Sequence, residues 1–105
     1  MNNDRLTEIE KLIDNRKVDE AQFLLSSLGA EYNKNANYLY LRGKVFYLNK
    51  LYYIAIDTLL IALEFEQSDK TYEMISEIYG LLGNNELKEK LLNEDLRKNA
   101  ISSLK

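Results

Sequence analysis

With 105 residues, a net charge of −3, and 46% hydrophobic against 30% charged residues, the chain has enough apolar side chain for one modest core. It has no histidine, cysteine or proline, which excludes disulfide frameworks, thiol and imidazole catalysis and Cys/His zinc sites, and leaves helices free of the strongest backbone breaker. The acidic balance gives no overall electrostatic footprint for nucleic acid.

The segment Met1-Asn2-Asn3-Asp4-Arg5 opens into a charged helical pattern without the basic and apolar regions of a secretory signal, so a cytoplasmic location is expected. Apolar periodicity predicts helices near 4–15, 18–28, 36–49, 52–66, 69–82 and 85–98, an all-α chain. The first two are joined by the tight polar link Asp14-Asn15-Arg16. Leu28-Gly29 and Leu82-Gly83 read as helix C-termini with glycine in the left-handed position, and Asn35, Ser68 or Asp69, and Asn84 or Asn85 as N-caps. The apolar runs Leu51 to Ile56 and Leu59 to Leu63 fall well short of the roughly 18 residues of a spanning helix, so no membrane insertion is expected. Tyr32 to Ile56 carries Lys34, Arg42, Lys44 and Lys50 and no acid, whereas Glu64 to Glu86 carries six acids against Lys70. Leu87, Leu91, Leu96, Ala100, Ile101 and Leu104 recur at spacings of three to five, predicting that the last helix runs on into an amphipathic tail.

Shifting the sequence by 34 residues superposes Leu12 on Phe46, Ile13 on Tyr47, Val18 on Tyr52, Ala21 on Ala55, Leu25 on Leu59 and Leu28 on Ala62. A further shift of 33 places Leu39 on Tyr72, Gly43 on Ser76 and Phe46 on Tyr79. Leu39, Gly43, Phe46, Tyr52, Ala55, Leu59 and Ala62 follow the bulky, small and aromatic order of the tetratricopeptide repeat, which this chain resembles. The match is fullest over 36–69 and weaker over 2–35 and 69–98. Arg42 replaces a usual leucine, the turn Asn49-Lys50-Leu51 lacks its usual glycine, and the closing proline is absent. The resemblance implies one domain over 1–105: a right-handed α-α superhelix of about three helix pairs, near 2–35, 36–68 and 69–98. The tail 99–105 would cap it.

The same resemblance implies a concave groove lined by the first helix of each pair and a convex back made by the second. It puts Asn37, Tyr40, Lys44 and Tyr47 in the groove from the central pair, Leu6, Glu10 and Ile13 from the first, and Lys70, Glu73 and Glu77 from the third. Tyrosine offers rigid contact area with a polar tip, which suits peptide recognition, while Tyr52, Tyr72 and Tyr79 are assigned to the core. The carboxylate clamp of some family members is not expected, because its places hold Leu6, Glu10, Leu41, Lys70 and Met74 and only Lys70 matches.

On the convex side Asp19, Glu20, Ser26 and Ser27 of the first pair correspond to Tyr53, Ile54, Leu60 and Ile61 of the second. Their i, i+1, i+7, i+8 spacing forms an apolar stripe that something should cover, either another protein, including a second copy, or the tail through Leu96, Ile101 and Leu104.

Carboxylate pairs such as Glu10 with Asp14 and Glu73 with Glu77 are read as solvated helix faces rather than acid-base machinery. Gly80-Leu81-Leu82-Gly83 is a helix end rather than a phosphate loop, and no acid loop of the calcium-binding kind occurs. No catalysis and no cofactor are expected. The basic, aromatic stretch Tyr38 to Tyr53 raises single-stranded RNA as a rival partner, which overall acidity disfavours. The expected role is a protein-interaction module holding a peptide or helix in the groove, with self-assembly through the stripe as the alternative.

Overall fold

Three tight turns set the spacing of the molecule. Arg16 and Lys50 hold φ of 65° and 63°, and Gly83 holds φ of 87°. After each, the backbone N–H of Lys17, Leu51 and Asn84 donates to the carbonyl of Leu12, Phe46 and Tyr79, at 2.8, 2.9 and 2.9 Å. Arg16, Lys50 and Gly83 themselves donate to Ile13, Tyr47 and Gly80. This double closure is the Schellman pattern, which satisfies carbonyls that a helix end would otherwise strand. The following residues take nearly the same conformation in all three turns, with φ/ψ of −92/62, −93/71 and −98/77. One backbone solution therefore recurs in the register of the apolar repeat.

The computed structural model describes residues 3–104. In chain order these form α1 (Asn3–Asp14), α2 (Val18–Ser27), a 3-10 turn (Ala30–Tyr32), α3 (Ala36–Leu48), α4 (Tyr52–Phe65), α5 (Asp69–Leu81), α6 (Asn85–Leu92) and α7 (Arg97–Ser102), with no strand among the described residues. Each Schellman turn folds one helix back on the one before it, giving the pairs α1 with α2, α3 with α4 and α5 with α6. α1 also touches α3, and α3 touches α5, so the odd-numbered helices lie side by side. The molecule is elongated, 37 × 24 × 18 Å. No helix among the described residues is long and apolar enough to cross a membrane.

Gly43 marks the closest approach within the central pair. A Cβ there would lie 2.7 Å from Cγ and Cδ2 of Leu59 and 3.5 Å from the Ala55 carbonyl. Ser76 is the equivalent residue of the third pair, and its Oγ donates to the carbonyl of Lys88 at 3.1 Å, the position matching Ala55. Arg42 rests its guanidinium 5.8 Å from the Tyr38 ring centroid and 5.5 Å from that of Phe46, so it covers apolar surface where a leucine was expected.

Expected caps form at Asn35, whose Oδ1 accepts from Tyr38 N, and at Asn84, whose Oδ1 accepts from Leu87 N. Ser68 precedes α5 without a side-chain cap bond. Gly29 is not left-handed: with φ −78° and ψ 175° it is extended and leads into the 3-10 turn, whose Tyr32 is buried against Tyr38. The expected helix over 85–98 is interrupted. The Asn93 side chain accepts from Asp95 N at 2.8 Å, an Asx turn that competes with the helical ladder, so α6 ends at Leu92 and α7 begins at Arg97.

Arg16 and Lys50 occupy a conformation that costs an L-residue about 1–2 kcal/mol and that glycine adopts freely. Lys50→Gly is therefore expected to raise stability by roughly 0.5–1 kcal/mol after the loss of unfolded-state restriction. A higher urea midpoint with unchanged slope is the sign; a lower midpoint would show that the turn is unstrained.

Candidate functional site

Asn37, Tyr40, Lys44 and Tyr47 recur every three or four residues of α3 and so run along one helix face. Packing of α3 against α1 and α5 sets Glu10 on one side of this row and Lys70, Glu73 and Glu77 on the other. A cleft of about 270 Å³ opens here, lined by Glu10, Asn37, Tyr40, Lys70, Glu66 and Ser68 among others.

Two side-chain contacts tie α5 to α3 across this face. Lys70 Nζ donates to Asn37 Oδ1 at 3.1 Å and sits 4.5 Å from the centroid of the Tyr40 ring. The Tyr47 hydroxyl donates to the Glu77 carboxylate. That hydrogen bond, helped by burial and by the charge of Glu77, pushes the Tyr47 hydroxyl up to about 12. Tyr40 is only 8% exposed and forms the floor rather than the rim. Its hydroxyl is also raised above the ordinary tyrosine value, first by burial and then by the carboxylates of Glu10, Glu73, Asp14 and Glu77.

Two expected groove residues lie elsewhere. Leu6 and Ile13 are 1% and 3% exposed and belong to the core. With Ile9 they make the buried face of α1, a spacing of three and four that apolar side chains take inward. Lys44 is half-buried on the same face of α3 as Tyr40. Glu66 and Ser68 line the cleft and were not assigned to the groove. They arrive from the α4–α5 connection and leave no periodic trace. Tyr72 is buried, and Tyr52 and Tyr79 are half-buried against the core, as assigned.

On α4, Tyr53, Ile54 and Ile61 are 73%, 48% and 44% exposed, but Leu60 is half-buried and packs on the core. Phe65, on the flank of Ile54 and Ile61, is exposed as well. At 100° per residue Asp57 and Glu64 fall between Tyr53 and Ile61, so charge divides the apolar stripe. The tail does not cover it. α7 packs on α6, with Ala100 and Ile101 buried, and Arg97 anchors it to α5 by an ion pair with Asp69 at 2.9 Å and by lying 4.3 Å from the Tyr72 ring centroid.

In the basic stretch the Tyr38 ring is buried, with its hydroxyl donating to the Leu25 carbonyl at 3.5 Å. Its aromatic face and the Arg42 guanidinium are engaged with each other rather than open to a stacked base. Among the described residues no group of three or more His, Cys, Asp or Glu side chains is arranged to hold a metal ion. No protein-family profile, curated protein or solved structure matches the chain.

Proposed function

We propose that this chain is a non-catalytic, cytoplasmic interaction module, a short stack of three tetratricopeptide-like helix pairs capped by α7, and that it holds a peptide or helix of another protein in the α1–α3–α5 cleft. The observation that carries the reading is the convergence of Glu10, Asn37, Tyr40 and Lys70 on one cleft, with Tyr47 and Glu77 bonded on the same helices. Polar side chains from three helices meet around a tyrosine floor, an arrangement suited to orienting an extended partner rather than to chemistry on it. The recurring Schellman turns in a 34- and 33-residue register support the repeat reading.

Lys44→Glu combined with Tyr47→Ala should abolish capture of the partner from a lysate while circular dichroism shows unchanged helix content. Recovery of the same partner by that double variant would remove the cleft from consideration. Self-assembly through α4 is the second reading, favoured by the exposure of Tyr53, Ile54, Ile61 and Phe65. Asp57 and Glu64 within that face count against it, since closing a symmetric contact there would bury like charges.

A further inference from the structure

Carboxylates outnumber ammonium groups in the cleft. Glu10 of α1 and Glu66 of the α4–α5 connection line it against Lys70, and the charges of Glu73, Asp14 and Glu77 are also felt at the Tyr40 hydroxyl. Glu77 is occupied by the Tyr47 hydroxyl. The ion pairs Lys90–Glu86 and Arg97–Asp69 lie away from the cleft, and Glu10, Asp14 and Glu73 have no cationic partner among the described residues. A second observation stands apart from charge. The Tyr40 side chain, nine-tenths buried, lines the cleft among these carboxylates, and its hydroxyl has no hydrogen-bond partner among the described residues. That hydroxyl is not among the buried unpartnered side-chain atoms, so it meets solvent at the end of a buried ring, held in place and open to an incoming donor.

We propose that the cleft takes a lysine- or arginine-bearing segment of the partner, one cationic side chain donating to the Tyr40 hydroxyl between Glu10 of α1 and Glu73 of α5. This rests on reading the cleft as an interaction surface and adds the chemistry of what enters it. Lys70 already shows how a cation is held there, over the Tyr40 ring with an amide oxygen as acceptor. The carboxylates are spread along a face and do not converge on a point, which matches a row of positive side chains rather than a single metal ion. An acidic peptide would meet repulsion, with Lys70 already committed to Asn37. An apolar helix would strand the carboxylates without partners.

The test uses the full chain and three short fluorescein-labelled peptides in which serine alternates with arginine, with citrulline or with glutamate. Citrulline keeps the shape of arginine and removes its charge. Binding is followed by fluorescence anisotropy and located by amide chemical-shift mapping. The arginine peptide should bind best, shift amides around Glu10, Tyr40 and Glu73, and weaken as salt rises. Glu10→Gln with Glu73→Gln should weaken it roughly tenfold, and Tyr40→Phe, which removes only the hydroxyl, about threefold. Equal binding of the citrulline peptide, preference for glutamate at the same amides, or indifference to Glu10→Gln/Glu73→Gln overturns the proposal and leaves the cleft standing as an interaction surface. Binding of the arginine peptide at other acidic surface overturns it too. If no peptide perturbs the cleft, the basic occupant is lost, and the capture experiment with Lys44→Glu/Tyr47→Ala decides the cleft reading separately.

Discussion

Gly43→Val should destabilise the protein by about 3 kcal/mol, the cost of forcing side-chain atoms into a closed helix contact. The first added carbon would lie 2.7 Å from two carbons of Leu59, which is fully buried and cannot swing into solvent. Gly43→Ala is the finer probe. Alanine gains about 1 kcal/mol of helix propensity over glycine, so a net loss of about 1 kcal/mol means that the clash outweighs the propensity. Leu59→Ala by itself should cost about 3 kcal/mol or more as a core truncation, and in combination with Gly43→Ala part of that loss should be recovered. Urea denaturation of the four proteins supplies the cycle. Additive losses, or a rise in stability for Gly43→Ala, would show that α3 and α4 are not in close contact at Gly43. In the first pair Ile9 occupies the place of Gly43, and there the interface leaves a cleft of about 250 Å³ bordered by Ile9, Leu24 and Leu28.

The second large effect concerns the tail. Ile101→Asp should cost about 2–4 kcal/mol, because it puts a carboxylate into the buried contact of α7 and releases the packing around Ala100 and Arg97. Ile61→Asp on the exposed face of α4 should change stability by less than about 0.5 kcal/mol. The contrast locates the tail: a large loss for Ile61→Asp with little for Ile101→Asp would mean that the tail lies on α4. Leu60→Asp is a poorer probe of the outer face, since Leu60 already packs on the core.

Tyr40 and Ile13 show how far the candidate site could be read from residue order. A period near 3.6 puts Tyr40 with Tyr47 on one face of α3, and Lys70 with Glu77 on one face of α5, while the expectation that these faces share a groove came from the resemblance to the tetratricopeptide repeat. Ile13 was given the groove because its repeat position matches Tyr47, yet a medium aliphatic residue at the α1–α3 contact gains more by burial, and it turned into the core. Glu66 and Ser68 were illegible because a connection has no period.

The turns teach the same lesson from the other side. Arg16 and Lys50 take the left-handed conformation against their own preference, while Gly29, free to take it, does not. Helix pairing requires the reversal at Arg16 and Lys50, and tertiary packing outweighs a local cost of about 1–2 kcal/mol.

Local chemistry alone specified an all-helical chain, the positions of the first five helices to within one or two residues, and caps at Asn35 and at Asn84 or Asn85, of which Asn84 forms. These follow from hydrogen bonds and periodicities confined to a few successive residues. Packing between distant segments decided the inward turn of Leu6 and Ile13, the anchoring of α7 to α5 through Arg97 and Asp69, and the meeting of Glu10, Tyr40, Glu66 and Lys70 at one cleft. Those outcomes depend on which surfaces meet when helices compete to bury apolar area, a competition among residues far apart in the chain.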